Sequence, residues 1–246
     1  GIDSALVAAL ATEALGKENV LGILMPSRFS TDHSVTDAVD LARNLGISHE
    51  TLPIKEIYDN FIATLHPVFK DAPFNVAEEN LQARIRGSLV MAISNKFGHI
   101  LLNTSNKSEA AVGYGTLYGD LCGSLSVLGD VYKTDVYKLS RYVNRNGELI
   151  PENTITKAPS AELRPGQKDQ DSLPDYDTLD AILKLYLEEN SSKQEIIAKG
   201  FVPEIVEKTI TLVNRNDYKR AQCPPILKVS KKAFGSGRRM PLVAKL

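Results

Sequence analysis

Short apolar runs alternate with amphipathic helical periods through the first hundred residues, and this alternation leaves few architectures open. Val20-Leu21-Gly22-Ile23-Leu24-Met25, closed by Pro26-Ser27, is one such run; His49 to Ile54 and Ile100-Leu101-Leu102-Asn103-Thr104 are two more. Continuous apolar runs bounded by turn residues read as buried strands of a parallel sheet. Between them Val35, Ala38, Val39, Leu41, Ala42 and Leu45 keep a helical period up to a stop at Gly46, and Ile57, Phe61, Ile62 and Leu65 keep another. The β-α-β-α order predicts an α/β fold: a doubly wound, mainly parallel sheet with additional helices, its ligand crevice outside the carboxyl ends of the strands. Pro26-Ser27 and the stretch from Thr104 to Glu109 fall at those ends.

With 246 residues, 43% of them hydrophobic and 24% charged, the chain has material for one large domain. A net charge of −1 provides no general attraction to nucleic acid or to an anionic membrane, and no stretch approaches the roughly 18 apolar residues of a membrane span. A soluble protein without nucleic-acid or membrane partners is expected. Cys122 and Cys223 are far apart and lack CxxC spacing, which predicts a reducing, cytoplasmic setting and neither a disulfide framework nor a zinc site.

Val76 to Phe97 carries one long helical period whose first half holds Asn80, Gln82, Arg84 and Arg86. Two arginines two positions apart cannot share a helix face, so at least one points away from the other's partner. Residues 158–174 are too rich in proline and polar side chains for a regular element and read as a long functional loop. Helices resume from about Tyr176 to Glu189, from the capping box Ser192 to Glu195 as far as Gly200, and from Pro203 to Asn216. From Asp217 onward eight basic residues (Lys219, Arg220, Lys228, Lys231, Lys232, Arg238, Arg239, Lys245) face one acid. Two readings stay open there: a solvated or intersubunit tail, or phosphate contact by Lys219.

Gly1-Ile2-Asp3-Ser4, followed by the helical run Ala5, Leu6, Ala8, Ala9 and Leu10, places backbone N–H groups and a hydroxyl at a helix N-terminus, a setting that stabilises a pyrophosphate. Asp3 beside phosphates calls for a cation, and Mg²⁺ suits that combination. This segment resembles the GxDS half of the SGGxDS loop of N-type ATP pyrophosphatases. Asn106-Lys107-Ser108-Glu109 with Gly113-Tyr114-Gly115-Thr116-Leu117-Tyr118-Gly119-Asp120 resembles the deamido-NAD and metal segment of NAD synthetases, and Glu79 to Arg86 resembles their dinucleotide-binding helix. Ser160 to Pro165, Asp169 to Pro174, Tyr218-Lys219-Arg220, Pro224-Pro225 and Ala233-Phe234-Gly235 look like the glutamine-dependent branch of that family.

The resemblance implies an adenine nucleotide α-hydrolase-like fold and a two-step amidation. The carboxylate of deamido-NAD attacks the α-phosphorus of ATP, pyrophosphate leaves, and ammonia displaces AMP to give NAD. It implies catalytic roles for Asp3, Glu109 and Lys133, with Mg²⁺ on Asp3 and Glu109. It implies ATP contacts for Gly1, Ile2, Asp3, Ser4, Thr104, Lys133 and Ser160, with Lys133 just before a helix that Thr134 caps. For deamido-NAD it implies Asn80, Arg84, Glu109, Tyr114, Gly115, Thr116, Leu117, Asp120 and Lys219. It also implies a homo-oligomer, and a glutaminase domain that delivers ammonia from glutamine and lies outside this chain. Residues 1–246 would then be a synthetase domain lacking its first, central strand and the start of the phosphate loop. The 158–174 loop is expected to order over ATP as a lid.

Each residue alone has an ordinary explanation: Glu109 as a first-turn acid, Arg84 and Lys133 as solvated charges, Tyr114 as packing, Asp120 as a turn residue. Their joint order favours the synthetase. Two other readings stand beside it: a different amidating ATP pyrophosphatase of the GMP-synthetase kind, and a nucleotide-sensing domain without turnover. Gly123 to Val127 is more apolar than the acidic stretch of ammonia-dependent relatives, and no ligand is assigned there.

Overall fold

The computed structural model describes residues 1–235 together with Gly237 and Arg238; Arg239 and Lys245 of the basic tail lie outside the described residues. α1 (Ile2–Leu15) precedes β1 (Leu21–Leu24), α2 (Asp32–Leu45) leads to β2 (Ser48–Thr51), and α3 (Lys55–Phe69) and α4 (Val76–Phe97) come before β3 (Leu102–Asn103). β1 pairs in parallel with β2, Leu21 opposite Ser48, and β3 pairs in parallel with β4 (Leu125–Ser126). The alternation and parallel sense follow the periodicities, and Gly46 stops α2 in the left-handed region at φ 68°.

The sheet is less continuous than the apolar runs imply. β1–β2 and β3–β4 form two separate two-stranded ladders. β1 is exposed or half-buried along its length and β2 is exposed throughout, so neither is the buried strand its composition suggests. Burial of a parallel strand requires neighbours on both edges and helices on both faces, whereas among the described residues β1 and β2 pair only with each other.

Helices therefore supply most of the core. After β3 come α5 (Lys107–Val112), α6 (Lys133–Val143), α7 (Glu152–Thr156), α8 (Tyr176–Leu183), α9 (Lys193–Ala198), α10 (Pro203–Arg215) and α11 (Asp217–Arg220). One cluster joins Leu6 and Val7 of α1 to Ala42 and Leu45 of α2, Val136 of α6, and Ile150. A second joins Val112 of α5 to Leu179 and Leu183 of α8 and Val213 of α10. The Ser192–Glu195 capping box opens α9, and Pro203 sits in the first turn of α10, as their sequences predict.

Thr134 does not cap α6. The helix begins two residues earlier than such a cap requires, at Lys133, with Tyr132 at the N-cap and no capping side chain of its own. Its first amides are satisfied from other helices: the Lys133 N–H donates to Ser108 Oγ at 2.9 Å and the Thr134 N–H to Asp180 Oδ2 at 2.9 Å. Ser108 in turn donates to Asp180, so α5, α6 and α8 share one buried polar junction.

Two glycines seat the 113–121 loop on α4. A Cβ on Gly119 would lie 2.9 Å from the backbone carbon of Ala83, and one on Gly87 would lie 3.0 Å from the Tyr118 carbonyl oxygen. A second junction lies beneath α5. Lys107 is fully buried; its Nζ lies 2.8 Å from Asp130 Oδ1 and 2.9 Å from Glu188 Oε1, Ser230 Oγ and the Lys232 carbonyl. Asp130 also accepts from the Val229 and Ser230 amides at 2.8 and 2.6 Å. Burial opposes ionisation of Asp130, but the Lys107 ammonium and the Ser230 and Val229 donors outweigh it and hold the carboxyl below its ordinary range. A depressed folded value contributes stability above the unfolded pKa of about 3.9, lost as pH falls through the folded value. Asp130→Asn is expected to lower unfolding free energy at pH 7 by about 3 kcal/mol, the difference from the parent narrowing below about pH 4. Denaturant melts across pH 3–7 check this, and a constant difference at all pH values contradicts it.

Candidate active site

The N-terminal turn of α1, the end of β1, the start of α5 and the start of α6 converge on a cavity of about 460 Å³. At its centre one ammonium lies between two carboxylates. Lys133 Nζ bonds Asp3 Oδ2 and lies 3.3 Å from Glu109 Oε1, with the lysine side chain 3% exposed. Asn106 Nδ2 holds the other Asp3 oxygen at 2.9 Å, and the Asn106 side chain also caps α5 by accepting from the Glu109 N–H. Three helices, α1, α5 and α6, are thus aligned by one polar cluster.

The electrostatics follow from that count. Burial pushes the Glu109 carboxyl up to about 8, and the nearby Asp3 and Asp169 carboxylates reinforce it against the pull of Lys133. Burial alone would lower the Lys133 ammonium, but Glu109 and Asp3 outweigh it and keep it protonated. Six carboxylates line the cavity (Asp3, Asp37, Glu109, Asp120, Glu162, Asp169) against the side-chain cations Arg86, Lys133 and Lys157. A polyphosphate entering this wall must arrive with its own cations.

The Asn-Lys-Ser-Glu motif divides its labour. Glu109 faces the cavity, whereas Asn106, Lys107 and Ser108 are fully buried and serve the scaffold. The glycine-rich motif that follows divides likewise. Tyr114 and Asp120 line the cavity, and the Tyr114 hydroxyl donates to Asp169 Oδ1 at 3.1 Å. Thr116 donates through Oγ1 to Asn80 Oδ1 at 2.7 Å and through its amide to Asp120 Oδ1 at 2.5 Å. The Leu117 carbonyl accepts from Arg84 Nε at 3.3 Å, and Lys219 Nζ binds the Gly113 and Gly115 carbonyls at 2.7 and 2.8 Å.

Of the residues expected in a site, Gly1, Ile2, Asp3, Ser4, Glu109, Tyr114, Asp120, Lys133 and Ser160 line this cavity. Asn80, Arg84, Gly115, Thr116, Leu117 and Lys219 form the adjoining polar shelf rather than the cavity wall, and Thr104 is likewise off the wall. The Lys219 ammonium is held by backbone carbonyls. Arg220, in the same basic tail, donates to the Ala111 carbonyl at 2.7 Å near the end of α5.

Arg86, Lys157, Glu162 and Asp169 line the cavity without having been singled out as site residues from the sequence. Arg86 carried a signal, because its two-residue offset from Arg84 places it on another helix face. The other three belong to the loop region, where periodicity is silent. That loop is pinned throughout: Glu162 accepts from Lys157 and Ser34 at 2.6 Å, Gln82 donates to the Leu163 carbonyl at 2.8 Å, and Asp169 accepts from Tyr176 at 2.8 Å.

A carboxyl whose folded value is raised stabilises fully below its unfolded pKa, and that contribution is lost as pH rises through the folded value. Glu109→Gln is therefore expected to gain stability relative to the parent as pH rises from about 4.3 towards the Glu109 value of about 8. Thermal melts without ligand test this, and a variant equally destabilised at every pH contradicts it.

The family model described as NAD synthase matches residues 1–223 of the chain. A glutamine-dependent NAD(+) synthetase from Synechocystis sp. is 59% identical over 242 residues, covering 98% of this chain and 43% of that protein. A solved glutamine-dependent NAD+ synthetase from Acinetobacter baumannii, in complex with adenosine diphosphate, is 46% identical with a TM-score of 0.63, covering 99% of this chain and 44% of its own. An NMN synthetase from Francisella tularensis is 27% identical with a TM-score of 0.74, over 96% of this chain and 86% of that one. The chain thus spans less than half the length of the glutamine-dependent relatives it matches.

Proposed function

From the premise that the chain belongs to the NAD synthase family, we propose that it carries out the ATP-dependent amidation of deamido-NAD to NAD, releasing AMP and pyrophosphate. The observation that carries this reading is the Asp3–Lys133–Glu109 cluster beside the N-terminus of α1. Departure of pyrophosphate builds negative charge without any proton transfer. Backbone donors at the helix start and the Lys133 ammonium oppose that charge in a partly water-excluded site.

Mg²⁺ fits the donor set. Asp3 and Glu109 are two convergent hard oxygen ligands, and Mg²⁺ is commonly held by one or two carboxylates with substrate phosphates completing the shell. Among the described residues no group of three or more such side chains could hold a metal by itself. When bound, the ion would neutralise phosphate oxygens in a wall where acids outnumber bases. Ser160 and the Gly1–Ser4 turn would hold ATP. Asp120, Tyr114 and the shelf formed by Asn80, Arg84, Thr116, Leu117 and Lys219 would shape the deamido-NAD subsite.

Further parts of the reading rest on the family. Ammonia would come from glutamine through a glutaminase domain outside these residues, or from free ammonium. The two unjoined parallel ladders support a further strand, also outside them, that links β1–β2 to β3–β4. The family resemblance also implies a homo-oligomer. The cysteines are free, in keeping with a reducing cytoplasm, and among the described residues no helix is long and apolar enough to cross a membrane.

The test is an amidation assay on the full-length protein with ATP, Mg²⁺, deamido-NAD and either ammonium or glutamine. NAD and AMP in equal amounts are expected. ADP as product, or faster turnover of nicotinate mononucleotide than of deamido-NAD, overturns the assignment. Lys133→Met is expected to lower kcat by about 10²-fold or more. An unchanged kcat would remove Lys133 from the reaction.

A further inference from the structure

The three side-chain cations on the cavity wall are not equivalent. Lys133 is shared between Asp3 and Glu109, and Lys157 Nζ lies 2.6 Å from Glu162 Oε1. Arg86 differs. Its Nε donates to the Met25 carbonyl at 3.0 Å, which orients the guanidinium at the end of β1. Among the described residues no carboxylate lies within salt-bridge distance of it and no acceptor takes a hydrogen bond from its two terminal nitrogens. The nearest acids acting on it, Glu162 and Asp120, do so only at longer range.

Arg86 is half-buried, and a guanidinium oriented into a cavity with no counter-charge in contact is a ready partner for an anion. Burial is the dominant influence on this group and lowers its affinity for its proton against the longer-range pull of Glu162 and Asp120. The planar fork of arginine matches two oxygens of a phosphoryl or carboxylate group, which a lysine ammonium does not. Arg86 reaches the cavity from α4 and β1, whereas the helix-terminal donors and Lys133 reach it from α1 and α6.

Resting on the amidation reading above, we propose that Arg86 binds an oxyanion of the reacting pair through its terminal nitrogens, either the α-phosphoryl group of the nucleotide or the carboxylate that attacks it. It is a substrate-binding residue distinct from Arg84, which is exposed and bound to the Leu117 carbonyl.

Calorimetry and kinetics on the full-length protein separate the two sources. In the first arm, adenosine and AMP are titrated into the parent, Arg86→Ala and Arg86→Lys. A loss of AMP affinity of about 10- to 100-fold with adenosine binding unchanged places the α-phosphoryl on Arg86. In the second, KM for deamido-NAD rises by a similar factor while inhibition by the amide product is unchanged, which places the carboxylate there. Partial rescue of Arg86→Ala by guanidinium ion supports either arm. Equal losses for adenosine, AMP and the dinucleotide, or no loss at all, overturn the proposal and leave Arg86 as a prop for β1. Arg86→Lys keeps the charge and the bulk, so it supplies the same comparison if the alanine variant does not fold. The titrations require no turnover, so a parent that forms no NAD defeats the amidation reading and still leaves Arg86 testable.

Discussion

Three helix N-termini meet at a single ammonium group, and most of the site depends on that meeting. Lys133 joins α6 to Asp3 of α1 and Glu109 of α5, while Asn106 joins α5 back to Asp3. Two acids sharing one base in a largely buried place leave a surplus of negative charge, and with burial this raises the Glu109 carboxyl above its ordinary range. The proposed Mg²⁺ would neutralise the same surplus.

This cluster is held by polar contacts one layer deeper. Ser108 caps α6 and binds Asp180 of α8, and fully buried Lys107 ties α5 to Asp130 and to the chain segment at Ser230 and Lys232. Buried charges of this kind contribute little net stability when complete and cost several kcal/mol when broken. Their effect is to set the position of α5, and through it Glu109. A four-residue motif thus carries one side chain that faces the cavity and three that position it.

The cavity has two unlike walls. One, from α1, α5 and α6, is dense with paired charge; the other, from α4 and β1, offers Arg86, which has no carboxylate partner among the described residues. Gly87 and Gly119 make the second wall possible, because their missing side chains let the 113–121 loop lie against α4 and bring Asp120 to the cavity edge.

Much of this was legible in the residue order. Helical periods located α2, α3 and α4, the capping box marked α9, and the motif order pointed to Asp3, Glu109, Lys133, Tyr114 and Asp120, which the fold brings to one cavity. Local patterns carry such information because a helix face or a cap depends on residues three or four apart. Burial of the strands, the start of α6, the scaffold role of Lys107 and the inward turn of Arg86 were not legible. Each depends on partners 25 or more residues away in the chain: Ser108 and Asp180 for α6, Ser230 for Lys107, Met25 for Arg86. By itself the sequence determined the elements and the chemistry available to them; only the tertiary structure decided which charges are paired, which stay free to meet a substrate, and where they stand.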